Sequence, residues 1–310
     1  GINLPENSTL SIYGQSGGTG KLNAESGNKT AIGGEDEESC GTLNVYGGQV
    51  SAESSGTAIG GGGSTDGTGG NGGTVNVYGG MVNALSDSET AIGGGFSTSG
   101  TGGTGSKLNV YGGEVIAESH LWSAIGGGRS TSGTVGNSGQ TFISGGSVSA
   151  YSRIDNVAAF DHAPTYGTNY IPRVTYGESD TSTVTKINPE DSVYTSNKYV
   201  LIEKADLTAD YQYCSRSWNG SSVVSSIETA NCTTLDNTNF PTALSDGWYA
   251  VKGDVIVLNQ IEISGNVNLI LTDGCALNVA DSIHLTSGNT LNIYGQSKET
   301  GKLHIVPKSY

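Results

Sequence analysis

Glu118, His120 and Trp122 alternate along the short run ESHLW, and residues two apart on a strand share a face. A carboxylate, an imidazole and an indole so placed suit a sugar: the indole offers a flat apolar face, and the other two offer hydrogen bonds. Glu118 and His120 could also begin a metal site, but the sequence identifies no third ligand, so a surface pair is the competing reading. Glu35, Asp36, Glu37 and Glu38 form an acidic run of the hard oxygens that calcium takes. No turn-making glycine separates them, which favours a solvated loop, and calcium is the one cofactor left open. Tyr13, Tyr46, Tyr78, Tyr111 and Tyr294 each close a similar apolar run. They read as a packing ladder or as a platform for sugar rings.

These residues sit inside a repeat. LNVYGG at 43–48 returns as VNVYGG at 75–80, LNVYGG at 108–113 and TFISGG at 141–146, and AIGG follows each of the first three and precedes the first. The first glycines of these pairs, Gly47, Gly79, Gly112 and Gly145, are 32 to 33 residues apart, an interval typical of stacked solenoid units. Within a unit apolar residues alternate, as in Leu43 and Val45, then Val50 and Ala52, while Gly-Gly or Ser-Gly closes each run. Period two means strands with one buried face, and the glycines mean tight turns. Three short strands per unit predict one coil of a parallel β-helix, with Ile59, Ile92 and Ile125 in one interior column. The glycine-rich tails 63–74 and 96–107 carry almost nothing apolar and are expected to be dispensable surface loops.

Glycine supplies 50 of 310 residues, a bias that would suggest disorder were the apolar residues less regularly placed. The formal net charge of −15 argues against nucleic acid and anionic membranes as partners, and no run is long enough to span a bilayer. Cys40, Cys214, Cys232 and Cys275 contain no CxxC pair. Either a Cys214–Cys232 disulfide or four buried thiols fit that spacing.

A longer repeat also runs through the chain. Residues 2–24 return at 283–305 with 13 of 23 positions identical. The predicted organisation is β-helix coils with glycine-rich loops over 1–165, a closing β segment over 166–204, a β-hairpin cap over 205–246 and a second, truncated β-helix segment over 247–310. The hairpin is signalled by Asn219-Gly220 between two β-rich runs. Strand edges at 2–24 and 283–305 suggest weak head-to-tail self-association.

The order GWYAVKGDV, VNLILTDGCALNV, NTLNIYGQS, TGKL, AIGG, LNVYGG resembles the long repeat-built surface proteins of anaerobic gut bacteria. These are similar to right-handed parallel β-helix proteins of the pectate-lyase-like superfamily. The resemblance implies an all-β, right-handed parallel β-helix, export, and an extracellular place on the cell surface as a carbohydrate-binding adhesin or spacer for host or plant glycans. The alternative it raises is a polysaccharide lyase or glycoside hydrolase on a β-helix. Neither the calcium-plus-base set of a lyase nor the paired carboxylates of a hydrolase is visible, since Lys107 and Arg129 fall out of register with paired aspartates. A non-enzymatic module is therefore expected, with Trp122, His120 and Glu118 as the glycan contact.

Overall fold

The computed structural model describes residues 1–306 except 16, 169 and 238. Among the described residues the chain is nearly all β, with one short helix at Ser192–Ser196. It divides into two units, residues 1–205 and 206–310.

In the first unit each repeat gives one strand to each of three sheets. The second repeat supplies Thr42–Val45, Gln49–Ser54 and Ile59–Gly60. Each pairs in parallel with its counterpart one repeat on, Leu43 with Val75, Val50 with Val82 and Ile59 with Ile92. The alternating apolar residues point inward, so Leu43, Val75 and Leu108 form one fully buried column and Ile32, Ile59, Ile92 and Ile125 another. Each added layer thus buries apolar area and pairs the backbone edge of the layer before it. The Tyr-Gly-Gly corners need glycine for a different reason: Gly48, Gly80 and Gly113 have φ of +81°, +78° and +74°, where a side chain is strained.

The glycine tails are not the loose loops that their composition suggests. Gly69, Gly70, Gly72, Gly102 and Gly103 are buried. A run of backbone hydrogen bonds threads them to the AIGGG strands: Gly136 N–H donates to Gly128, Gly128 to Gly103, Gly103 to Gly95, Gly95 to Gly70 and Gly70 to Gly62, all at 2.8–2.9 Å. A Cβ on Gly103 would lie 1.8 Å from the Gly70 carbonyl oxygen. Glycine is present because two backbones pack against each other, and the layer holds itself by hydrogen bonds without apolar side chains.

Past Ile125 the stack is closed. Phe160 bridges to Ile125, and Tyr199–Lys204 pairs antiparallel with Ser147–Ser152. Pro172–Ser179 and Ser182–Ile187 extend that antiparallel edge.

The second unit begins with a long hairpin, Thr208–Trp218 against Val223–Leu235, with Gly220 at φ +101° in its turn. Three parallel sheets follow, represented by the pairs Leu269 with Ile293, Leu277 with Leu303 and Ile261 with Ile283. They enclose a core of Val251, Val255, Leu269 and Leu277. All four cysteines are free thiols, three of them buried. Cys214 faces Ile227 across the hairpin while Cys232 faces Ala209. The two sulfurs are therefore five rungs apart at ~3.4 Å per rung, far beyond disulfide reach.

Candidate functional site

Along the first unit, hydroxyl side chains lock the loop that precedes each AIGG strand. Ser54, Ser86 and Ser119 donate to the carbonyls of Lys29, Gly56 and Glu89, one repeat back. Thr30, Thr57 and Thr90 donate to Gly61, Gly94 and Gly127, one repeat on. Between these two columns runs a short segment of two or three residues whose last position changes from layer to layer. That position is Lys29, Gly56, Glu89 and Trp122 in successive layers. The facing wall starts at the residue after each glycine triplet, Gly63, Phe96 and Arg129, followed by the aligned serines Ser64, Ser97 and Ser130.

The space between these walls is a groove of ≈ 620 Å³ that includes Lys29, Asp36, Glu37, Asp66, Glu89 and Phe96 in its lining. Glu89 stands apart from the other acids because it is 7% exposed. Its Oε1 lies 3.5 Å from Arg129 Nη1, and its Oε2 has no hydrogen-bond partner among the described residues. Burial pushes the carboxyl up to about 7, and Arg129 offsets part of that rise. The Arg129 guanidinium also sits over the Phe96 ring, 5.9 Å from its centroid. Glu89 escaped sequence reasoning, although its register with Trp122 marks it as a departure from the repeat of the same kind.

The predicted contact residues do not share one strand face: the strand ends at Ser119, so His120 and Trp122 lie in the turn after it, and only His120 and Glu118 are in contact. His120 Nε2 is 3.2 Å from Glu118 Oε1, and its Nδ1 is 3.3 Å from Asp87 Oδ1. Arg153 Nε donates to the same Glu118 oxygen. Trp122 is half-buried; its indole N–H donates to the Gly127 carbonyl at 3.1 Å, and the residue borders a cavity of ≈ 250 Å³ with Val135, Asn156, Phe160 and Asp161. The indole thus shares with the Thr90 hydroxyl the carbonyl just past the strand Ile125–Gly126, which gives Trp122 a structural task.

The acidic run is dispersed. Asp36 pairs with Lys29 at 2.9 Å, and Glu37 Oε1 accepts the Ser64 hydroxyl at 2.8 Å. Among the described residues no group of three or more His, Cys, Asp or Glu is placed to hold a metal ion. The tyrosines divide between the units. Tyr13, Tyr46, Tyr78 and Tyr111 stack with centroids 4.7, 4.8 and 5.0 Å apart, and all four are 43–72% exposed. Asn44, Asn76 and Asn109 form an amide ladder on the same strands. Tyr294 lies in the second unit against Trp248 and Tyr213, where a cavity of ≈ 400 Å³ is lined by Cys214, Arg216 and Glu299 among others.

An Asp–His–Thr chain also occurs. His162 Nδ1 is 2.6 Å from Asp161 Oδ1 and its Nε2 is 2.8 Å from Thr141 Oγ1. This order of groups could activate a hydroxyl nucleophile, but Thr141 is 2% exposed and occupies the interior column of Leu108. Asp161 Oδ2 accepts the Gly127 N–H at 2.6 Å, where a further repeat would have supplied a carbonyl. The chain is a polar plug at the end of the stack. Compared with family models, curated proteins and solved structures, the sequence and its fold match none.

Proposed function

We propose that the chain is a right-handed parallel β-helix module of an extracellular, cell-surface protein that serves as an extended spacer and adhesive surface for glycans. One observation carries the reading: interior columns are held constant from layer to layer while the short segment between the two hydroxyl columns changes, its last position running from Lys29 to Gly56, Glu89 and Trp122. A scaffold that is fixed inside and variable along one line suits recognition at that line. Right-handedness is supported by the near-universal hand of parallel strand crossovers. Surface location rests on the resemblance to repeat-built bacterial surface proteins, and protease treatment of intact producing cells tests it.

The functional test is a glycan array run beside a reducing-sugar release assay on host and plant polysaccharides. Saturable binding without release is expected. One observation favours the enzymatic alternative: a carboxyl pushed up to about 7 inside a groove has the protonation state of a general acid. Release that disappears in Glu89→Gln would select a glycoside hydrolase.

A further inference from the structure

We infer that the groove around Glu89 binds a saccharide chain without anionic groups, and that Glu89 selects for a hydrogen-bond donor on it, an ammonium before a hydroxyl. The inference rests on the reading of this chain as a glycan-binding module and narrows it to one site and one ligand chemistry.

The volume of ≈ 620 Å³ falls within the ordinary range of ligand pockets. Its lining is unlike that of a peptide groove, because Phe96 is the one large apolar residue there and peptide recognition relies on several apolar pockets or an open sheet edge. What the walls offer instead are hydroxyls, from Thr65, Ser88 and Thr98, next to carboxylates. Hydroxyls and carboxylates lining one groove with a single aromatic ring suit a polyol.

Charge sets the sign of the ligand. Asp36, Glu37, Asp66 and Glu89 outnumber Lys29, and Lys29 is already paired with Asp36. Arg129 offers a second cation, committed to Glu89 and to the Phe96 ring. A uronate, sulfate or phosphate entering this groove would meet uncompensated like charge. Glu89 then sets the preferred group. Its Oε2 is desolvated and unpaired among the described residues, a state that costs free energy until a donor arrives. Above about pH 7, where Glu89 is ionised, an ammonium supplies both a donor and the countercharge, and a hydroxyl supplies the donor alone.

The test is calorimetric titration of the full chain with three oligosaccharides of equal length: a glucosamine oligomer, its N-acetylated counterpart and a galacturonate oligomer. The first should bind tightest, the second more weakly, and the third not measurably. Glu89→Gln should lower affinity for the glucosamine oligomer at least tenfold and narrow its advantage over the acetylated one. Phe96→Ala should weaken both, and Trp218→Ala, in the second unit, should change neither. Circular dichroism melting of each variant separates these effects from unfolding. Equal or tighter binding of galacturonate would overturn the inference. Glucosamine binding that survives both Glu89→Gln and Phe96→Ala would also overturn it, while leaving glycan binding elsewhere on the chain intact. Binding of none of the three would overturn it as well, and only an empty glycan array would remove the broader reading with it.

Discussion

The two units build the same kind of three-sheet layer with different amounts of chain. In the first, Leu43 and Val75 are partners 32 residues apart; in the second, Val255 and Leu277 are partners only 22 apart. About ten residues per layer separate the two, and in the first unit they become the stacked glycine segment and the groove wall that it carries. The second unit has strands joined by short turns, and its glycines Gly253, Gly274 and Gly288 have positive φ with open space around them. Glycine therefore serves turn geometry in both units, at Gly48 as at Gly274, and in the first unit it also serves the close backbone packing of the stacked segment. The scaffold alone needs only the shorter layer, so the extra chain in the first unit is where the proposed binding surface lies.

The largest effect that would test this comparison is at the shared interior. Ile92→Asp would bury an unpaired charge among Ile59 and Ile125, at a cost of several kcal/mol. Hydrogen exchange should show the three AIGG strands losing protection together, and unchanged protection would contradict the column. Next comes Gly103→Ala, whose Cβ would meet the Gly70 carbonyl oxygen at 1.8 Å. Overpacking of this severity should cost about 3 kcal/mol, whereas Gly274→Ala, with no close neighbour, should show only the smaller penalty of its positive φ, roughly 1 kcal/mol. Equal losses in thermal melts would mean that the glycine layer is not packed as described.

The smallest effect concerns Glu89. Its carboxyl is raised from an ordinary 4.5 to about 7, so the folded chain holds a proton that the unfolded chain has released. Stability is then fully present below about 4.5 and is lost as pH rises through 7, by at most roughly 3 kcal/mol. Glu89→Gln should remove that slope and raise stability at pH 8 by about 1–2 kcal/mol, less than the maximum because the amide is also buried. Denaturant titrations at pH 5 and pH 8 check the sign. A wild-type chain more stable at pH 8 than at pH 5, with Glu89→Gln leaving the difference unchanged, would contradict it.

The sequence made the columns legible because both of their signals are local: alternation every second residue and recurrence every 32 or 33. It concealed the glycine layer because backbone packed on backbone leaves no apolar side chain to read. Cys214 and Cys232 misled through nearness along the chain, where strand register decides the distance. Thr141, a polar residue in an apolar column, was a visible anomaly whose meaning depends on His162, 21 residues away. At the candidate site Trp122 stands out in the sequence as an aromatic that breaks the repeat, whereas Glu89 by itself carries no comparable signal. Its burial depends on Arg129 and the facing wall, which no local pattern reports.

The paired hydroxyl columns have a consequence for inheritance. Because Ser86 and Thr90 fasten the backbone on either side of Glu89 by their own hydrogen bonds, neither bond depends on which side chain stands between them. A codon change at that position alters chemistry while leaving the fastening untouched, and duplication of one 33-residue unit adds a further position already aligned with the rest. A gene built this way can lengthen and revise the proposed recognition line one unit at a time, with selection on surface chemistry and selection on folding acting on separate residues.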